Sequence, residues 1–191
     1  MYARLSALLV AVGAVVALNG CGDPTAIDPE FENIDTTRVV FAITGTPSNL
    51  PTALLVRGAA PVRIDAAFNF DLAFDINAAG EVVAHSVRKI ASQTAGTHRV
   101  GIQFTDDAFD AVTRAPKTNY VYDSTYVLPV GKVFLIDVLD NSCSQFSILG
   151  PNIRAKAVVT SVDVAARSIE LDILANPNCG FVTLTPGLPP E

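Results

Sequence analysis

Phe68-Asn69-Phe70-Asp71-Leu72-Ala73-Phe74-Asp75-Ile76 is the stretch that decides the fold. Phe68, Phe70, Leu72, Phe74 and Ile76 take alternate positions, with Asn69, Asp71, Ala73 and Asp75 between them. Successive side chains of a strand point to opposite faces, so one face here is wholly apolar. A helix would scatter the phenylalanines around its circumference and leave no continuous stripe to bury. Asn77-Ala78-Ala79-Gly80 then supplies turn chemistry, and residues 81–87 return as the second arm of a hairpin.

The same alternation recurs on both sides of this hairpin. Residues 39–44 open the domain and residues 52–57 follow, while Val100, Ile102 and Phe104 alternate with Gly101 and Gln103. Residues 120–128 and 132–139 flank the break Pro129-Val130-Gly131. The second of these is apolar on both faces apart from Asp137, the pattern of a central strand covered on two sides. Residues 156–164 and 168–174 make another hairpin, with Val158, Val162 and Val164 on one face. Ile169, Leu171 and Ile173 match them across Ala165-Ala166-Arg167, and Glu170 and Asp172 point outward. Residues 106–114 read as a loop or one helical turn. These patterns predict an all-β domain, an antiparallel β-sandwich of about eight to ten strands, with a barrel as the second choice.

A chain of 191 residues has a one-domain length, and 50% hydrophobic with 17% charged residues is too apolar for disorder. The net charge of −6 speaks against a nucleic-acid partner, which calls for a basic face. The charge is unevenly placed. Residues 22–37 hold Asp23, Asp28, Glu30, Glu32 and Asp35, two prolines and no basic residue, and so read as a solvated tether.

Ahead of the tether, Arg4 and the amino terminus precede an apolar run from Leu5 to Leu18, the layout of an export signal over residues 1–20. As a helix this run covers about 21 Å, short of the ~30 Å hydrocarbon core, so it does not predict a mature membrane span. It ends in Leu18-Asn19-Gly20-Cys21, which resembles the lipobox of bacterial lipoproteins. The resemblance covers the first 21 residues, and Asn19 stands where Ala or Ser is commoner. It implies diacylglycerol transfer to the Cys21 sulfur, cleavage after Gly20 and acylation of the new amine. Two or three acyl chains suffice for stable anchoring, where one is marginal. Gly22 in place of an aspartate favours the outer membrane if the organism is Gram-negative. The expected organisation is therefore a signal peptide over 1–20, lipidated Cys21 and tether over 21–37, and one β-sandwich domain over 38–191.

With Cys21 acylated, Cys143 and Cys179 remain, and an even pair in an exported chain predicts a disulfide. Chemistry is harder to find. His85 and His98 are the only imidazoles, and both read as exposed strand residues. Asp71 and Asp75 lie about 13 Å apart at strand rise, too far to act as a pair. Asp75-Ile76-Asn77 with Gly80 and Glu81 has turn chemistry and lacks the spacing of a calcium loop. No hydrolase, metalloprotease or nucleotide-binding motif is present, so no catalytic residue, metal site or cofactor is expected.

The remaining cluster is Tyr120, Tyr122 and Tyr126, placed on one strand face with Ser124 and offering flat rings to a peptide or sugar. The expectation is a lipid-anchored cell-envelope protein held to the membrane through Cys21. It acts as a non-catalytic binding or structural module, with an envelope protein or glycan as partner and this tyrosine stripe as the candidate face. A small-ligand or lipid carrier is the alternative, and an envelope hydrolase with a dispersed acidic site is the weaker one.

Overall fold

The computed structural model describes residues 27–64, 69–91, 97–139, 142–143 and 149–189. Cys21 and the export signal lie outside the described residues, as does Phe68. Among the described residues eleven strands follow one another: β1 (Ile34–Phe41), β2 (Ala53–Leu55), β3 (Ala60–Val62), β4 (Leu72–Ile76), β5 (Val82–Ser86), β6 (Arg99–Phe104), β7 (Val121–Tyr122), β8 (Thr125–Leu128), β9 (Val133–Leu139), β10 (Asn152–Asp163) and β11 (Ser168–Asn176). They form two antiparallel sheets, a six-stranded one ordered β1-β11-β10-β9-β6-β7 and a five-stranded one ordered β3-β2-β4-β5-β8. The strand number exceeds eight to ten because β2, β3 and β7 run for only two or three residues, too short for alternation to register.

Neither sheet closes on itself, so the architecture is the sandwich and not the barrel. Phe70, Phe74, Phe134, Ile102, Ile136 and Leu171 are among the fully buried side chains that fill the space between the sheets. Each such group stabilises the fold by about 1.5–3 kcal/mol relative to its exposed state. Phe70, Leu72, Phe74 and Ile76 enter this core as their alternation requires. The hairpin turn behind them is set by Asn77, whose Oδ1 accepts from the N–H groups of Ala79 and Glu81. Gly80 sits there at φ +81°, a left-handed conformation that glycine adopts without steric cost.

β9 lies between β10 and β6 and is buried along nearly its whole length, as its two apolar faces demand. The β10–β11 hairpin forms, but its face assignment changes partway. Val159 pairs with Leu171 and Ser161 with Glu170, so Thr160 is an extra residue, a β-bulge. The bulge reverses the alternation: Val162 packs on the main core while Val158 turns to the outer face of the sheet, against the expectation of one shared face.

β1 also begins earlier than the tether composition suggests. Ile34–Thr37 already pairs with β11, and Ile34 packs on the core. Just ahead, Asn178 Oδ1 accepts from the N–H groups of Glu30 and Phe31, and Asn33 N–H donates to Gly187 O. Alternate exposed acids along this entry make it look like tether when only composition is weighed. The Cys143–Cys179 disulfide is present, with a Cα–Cα distance of 5.7 Å. It joins the segment after β9 to the segment after β11 across the start of β10. Among the described residues no helix is long and apolar enough to cross a membrane.

Candidate functional site

The tyrosine stripe is not assembled. Residues 120–128 are two strands in different sheets, because Asp123 takes φ +53° and turns the chain from β7 across to β8. Tyr120 and Tyr122 lie on the outer face of the six-stranded sheet, whereas Tyr126 points between the sheets and is 6% exposed. Every hydroxyl is used internally. Tyr126 donates toward Val121 O at 2.7 Å and lies 3.2 Å from Val100 O, accepting from Ser124 N–H, which staples the corner between the sheets. Tyr120 donates to Pro116 O at 3.0 Å and Tyr122 to Asp137 Oδ2 at 2.6 Å. Burial is the main reason all three phenols are harder to ionise than usual, and the Asp137 carboxylate adds to it at Tyr120 and Tyr122.

Gly101 of β6 makes room for these rings. A Cβ at that position would stand 2.8 Å from the Tyr120 Cβ and 2.9 Å from the Tyr122 ring. Asp137, at 2% exposure, is the hub below them. Asn152 Nδ2 donates to its Oδ2 at 2.6 Å, and Arg154 Nε stands 3.0 Å from Oδ1 as an ion pair without an aligned hydrogen bond. Arg154 Nη1 donates to Gly180 O at 3.1 Å. Arg99 stacks 4.8 Å above the Tyr122 ring and pairs with Asp123 at 2.7 Å. An irregular second layer, residues 109–120 and 181–184, packs over this face, and Asp137 and Arg154 are buried while Arg99 stays exposed.

That layer is pinned by Lys156. Its Nζ donates to Phe109 O at 2.7 Å and to Val112 O at 2.9 Å, and lies 4.5 Å from the Phe109 ring centre. Burial makes this ammonium easier to deprotonate, against the opposing pull of Asp110 and Asp35. Beside the layer an open pocket of about 440 Å³ is lined by Gln103, Val112, Ala115 and Leu135 among others. Gln103 Oε1 is buried there without a hydrogen-bond partner.

The acids and histidines do not converge on one centre. Asp71 is 2% exposed instead of outward; its Oδ2 accepts from Val56 N–H at 2.5 Å and its Oδ1 lies 2.5 Å from His98 Nε2. His85 lies apart on β5, its Nδ1 3.0 Å from Thr125 Oγ1. Asp75 serves a different task at the sandwich rim. Partial burial acts to raise its pKa, but hydrogen bonds from Thr44 Oγ1, Ile76 N–H and Thr44 N–H outweigh this. With the Arg167 charge they hold the carboxyl below the ordinary aspartate range. Arg167 donates to Asp75, Thr44 O and Ile76 O, so it ties the β10–β11 hairpin tip to the other sheet. Among the described residues, no group of three or more His, Cys, Asp or Glu is placed to hold a metal ion.

Two depressions flank β1. On the outer face, Asp35, Thr36, Thr37, Phe109, Asp110 and Asp172 line a cleft of about 390 Å³. On the inner side of β1, Phe31, Glu32, Ile34, Leu55, Arg57, Gly58 and Pro177 line a mainly apolar groove of about 530 Å³. Sequence reading missed both, since each draws on segments far apart in the chain. No protein-family model, curated protein or solved structure matches the chain.

Proposed function

We propose that the chain is a lipid-anchored cell-envelope protein whose sandwich acts as a non-catalytic binding or structural module. The carrying observation is the Leu18-Asn19-Gly20-Cys21 sequence, set a short distance before a domain whose entry is clamped by Asn178. From Cys21 to Glu30 the chain reaches at most about 30 Å when fully extended, so anchoring at Cys21 would hold the domain near the bilayer. The internal bonding of the tyrosine hydroxyls, Asp71, Asp75 and Asp137 supports the module reading over a hydrolase. Replacing Cys21 by serine in the expressed full chain is expected to move the protein from the membrane to the soluble fraction and to abolish labelling by radioactive palmitate. Retention in the membrane with undiminished labelling would refute the anchor.

The open pocket beside residues 111–116 favours a second reading, a small-ligand carrier. Its volume of about 440 Å³ lies in the size range of small-molecule sites, and the orphaned Gln103 Oε1 offers an acceptor. Native mass spectrometry of the purified chain tests it: a bound small molecule displaced by Gln103→Leu supports the carrier, and a ligand-free mass counts against it.

A further inference from the structure

We propose that the free edge of β1 takes up an extended segment of a partner protein as an added strand. The segment would place a basic side chain on one face and an apolar side chain on the other. The inference deepens the module reading and rests on it, but does not depend on the lipid.

The backbone comes first. Among the described residues, β1 pairs with β11 on one side and is the last strand of its sheet. Ala42 N–H donates to Arg167 O on the β11 side, whereas Phe41 N–H turns the other way to Pro51 O and Asn33 N–H goes to Gly187 O. In an antiparallel strand, alternate residues present both backbone groups to the same neighbour. Asp35, Thr37 and Val39 therefore aim their N–H and C=O groups at the open edge, bracketed by the closing bonds at Asn33 and Phe41. β1 runs for eight residues without a proline or bulge to blunt that edge.

The two depressions then set what the added strand must carry. In a continued sheet, a residue opposite Asp35 or Thr37 points to the outer face, toward the cleft of Asp35, Asp110 and Asp172. One nearby cation, Lys156, is already committed to the Phe109 and Val112 carbonyls, so the three carboxylates leave the cleft negative. A lysine or arginine fits there. Residues opposite Ile34 or Thr36 point the other way, beside the groove of Phe31, Ile34, Leu55 and Pro177. An aliphatic side chain fits there, and Phe31, 45% exposed, would be covered by it. Further along, Arg38 closes the inner side by donating to Ala59 O at 2.8 Å, which limits the segment to one deep apolar anchor.

Main-chain bonds would supply affinity and the two clefts specificity, the usual division in strand addition. A second copy of this chain fits less well. Antiparallel pairing of β1 with itself keeps Asp35, Thr37 and Val39 on the outer face, which brings another carboxylate and no cation to the acidic cleft.

Fluorescence anisotropy tests the proposal on the full chain purified in detergent. The probe is a labelled eight-residue peptide of alternating lysine and valine. Saturable binding is expected, weakened at least about tenfold when glutamate replaces lysine and lost when alternate backbone nitrogens of the peptide are methylated. Thr37→Pro removes an outward N–H that the β11 ladder does not use, and is expected to weaken binding by a similar factor. Asp110→Asn, outside β1, is expected to weaken binding as well, with the fold intact by circular dichroism. No saturable binding, equal binding of the glutamate peptide, or full binding by folded Thr37→Pro would each overturn the proposal. Sedimentation of the wild type as a dimer that Thr37→Pro dissolves would also overturn it, by giving the edge to a second copy. Failure in solution with Cys21→Ser still releasing the protein from membranes would remove this inference and leave the anchor standing.

Discussion

Replacing Cys143 and Cys179 together by alanine removes a cross-link between residues 36 positions apart. The chain-entropy relation for a loop of that length gives a loss of about 4 kcal/mol at 25 °C, carried by the greater freedom of the unfolded chain. For a domain of this size, each kcal/mol corresponds to about 2–4 °C in Tm, so the variant should melt about 8–16 °C below the oxidised protein. Circular dichroism melts of three samples separate the cross-link from its side chains: oxidised wild type, wild type kept reduced, and the double variant. Cys143 is 2% exposed, so trimming the thiols also removes some core contact. The reduced wild type should therefore fall most of the way to the double variant. Melting of both within about 2 °C of the oxidised protein would refute the reasoning, because the loop would then be ordered without its bridge.

Arg154→Met leaves Asp137 charged and buried with only Tyr122 and Asn152 as donors, and should cost about 3–5 kcal/mol in urea unfolding. A loss below 1 kcal/mol, on the scale of an exposed pair, would show that the covering layer does not exclude water from Asp137. Asp75 gives a pH signature. Its folded pKa is depressed, so its contribution is present above the unfolded value of about 3.9 and is lost as pH falls through the lower folded value. The urea midpoint of the wild type should thus drop more steeply than that of Asp75→Asn between pH 5 and pH 2, and parallel curves would refute this.

Much of the sandwich is legible because its central strands carry their own periodicity. Phe70 to Ile76 and the two-faced apolar run of β9 need no partner to be recognised, and an even cysteine pair announces its bridge. What fails does so for local or long-range reasons. The left-handed turn at Asp123 and the bulge at Thr160 each change a face assignment within an apparently continuous strand. Asp123 followed by Ser124 was the available sign of the first, since aspartate tolerates that conformation better than most residues. Thr160 bears no such sign. Burial of Arg154 and Lys156 depends on the irregular layer over the six-stranded sheet, and that of Asp71 on the Val56 N–H and His98, so none of the three is announced by the alternation of its own strand. The candidate docking edge was invisible for the same reason: its clefts combine β1 with residues 55–58, 109–110, 172 and 177.

The clamp of Glu30 and Phe31 onto Asn178, followed directly by β1, also decides how the domain meets mechanical load. Tension arriving from an N-terminal attachment along the chain reaches β1 nearly parallel to its length. The rungs between β1 and β11 are loaded together in shear when the domain is held beyond the Phe41 end of β1, and one after another when it is held near Gly187, beside Asn33. The eight-residue pairing of β1 thus resists peeling from its own entry only when the restraint lies at the far end of the strand.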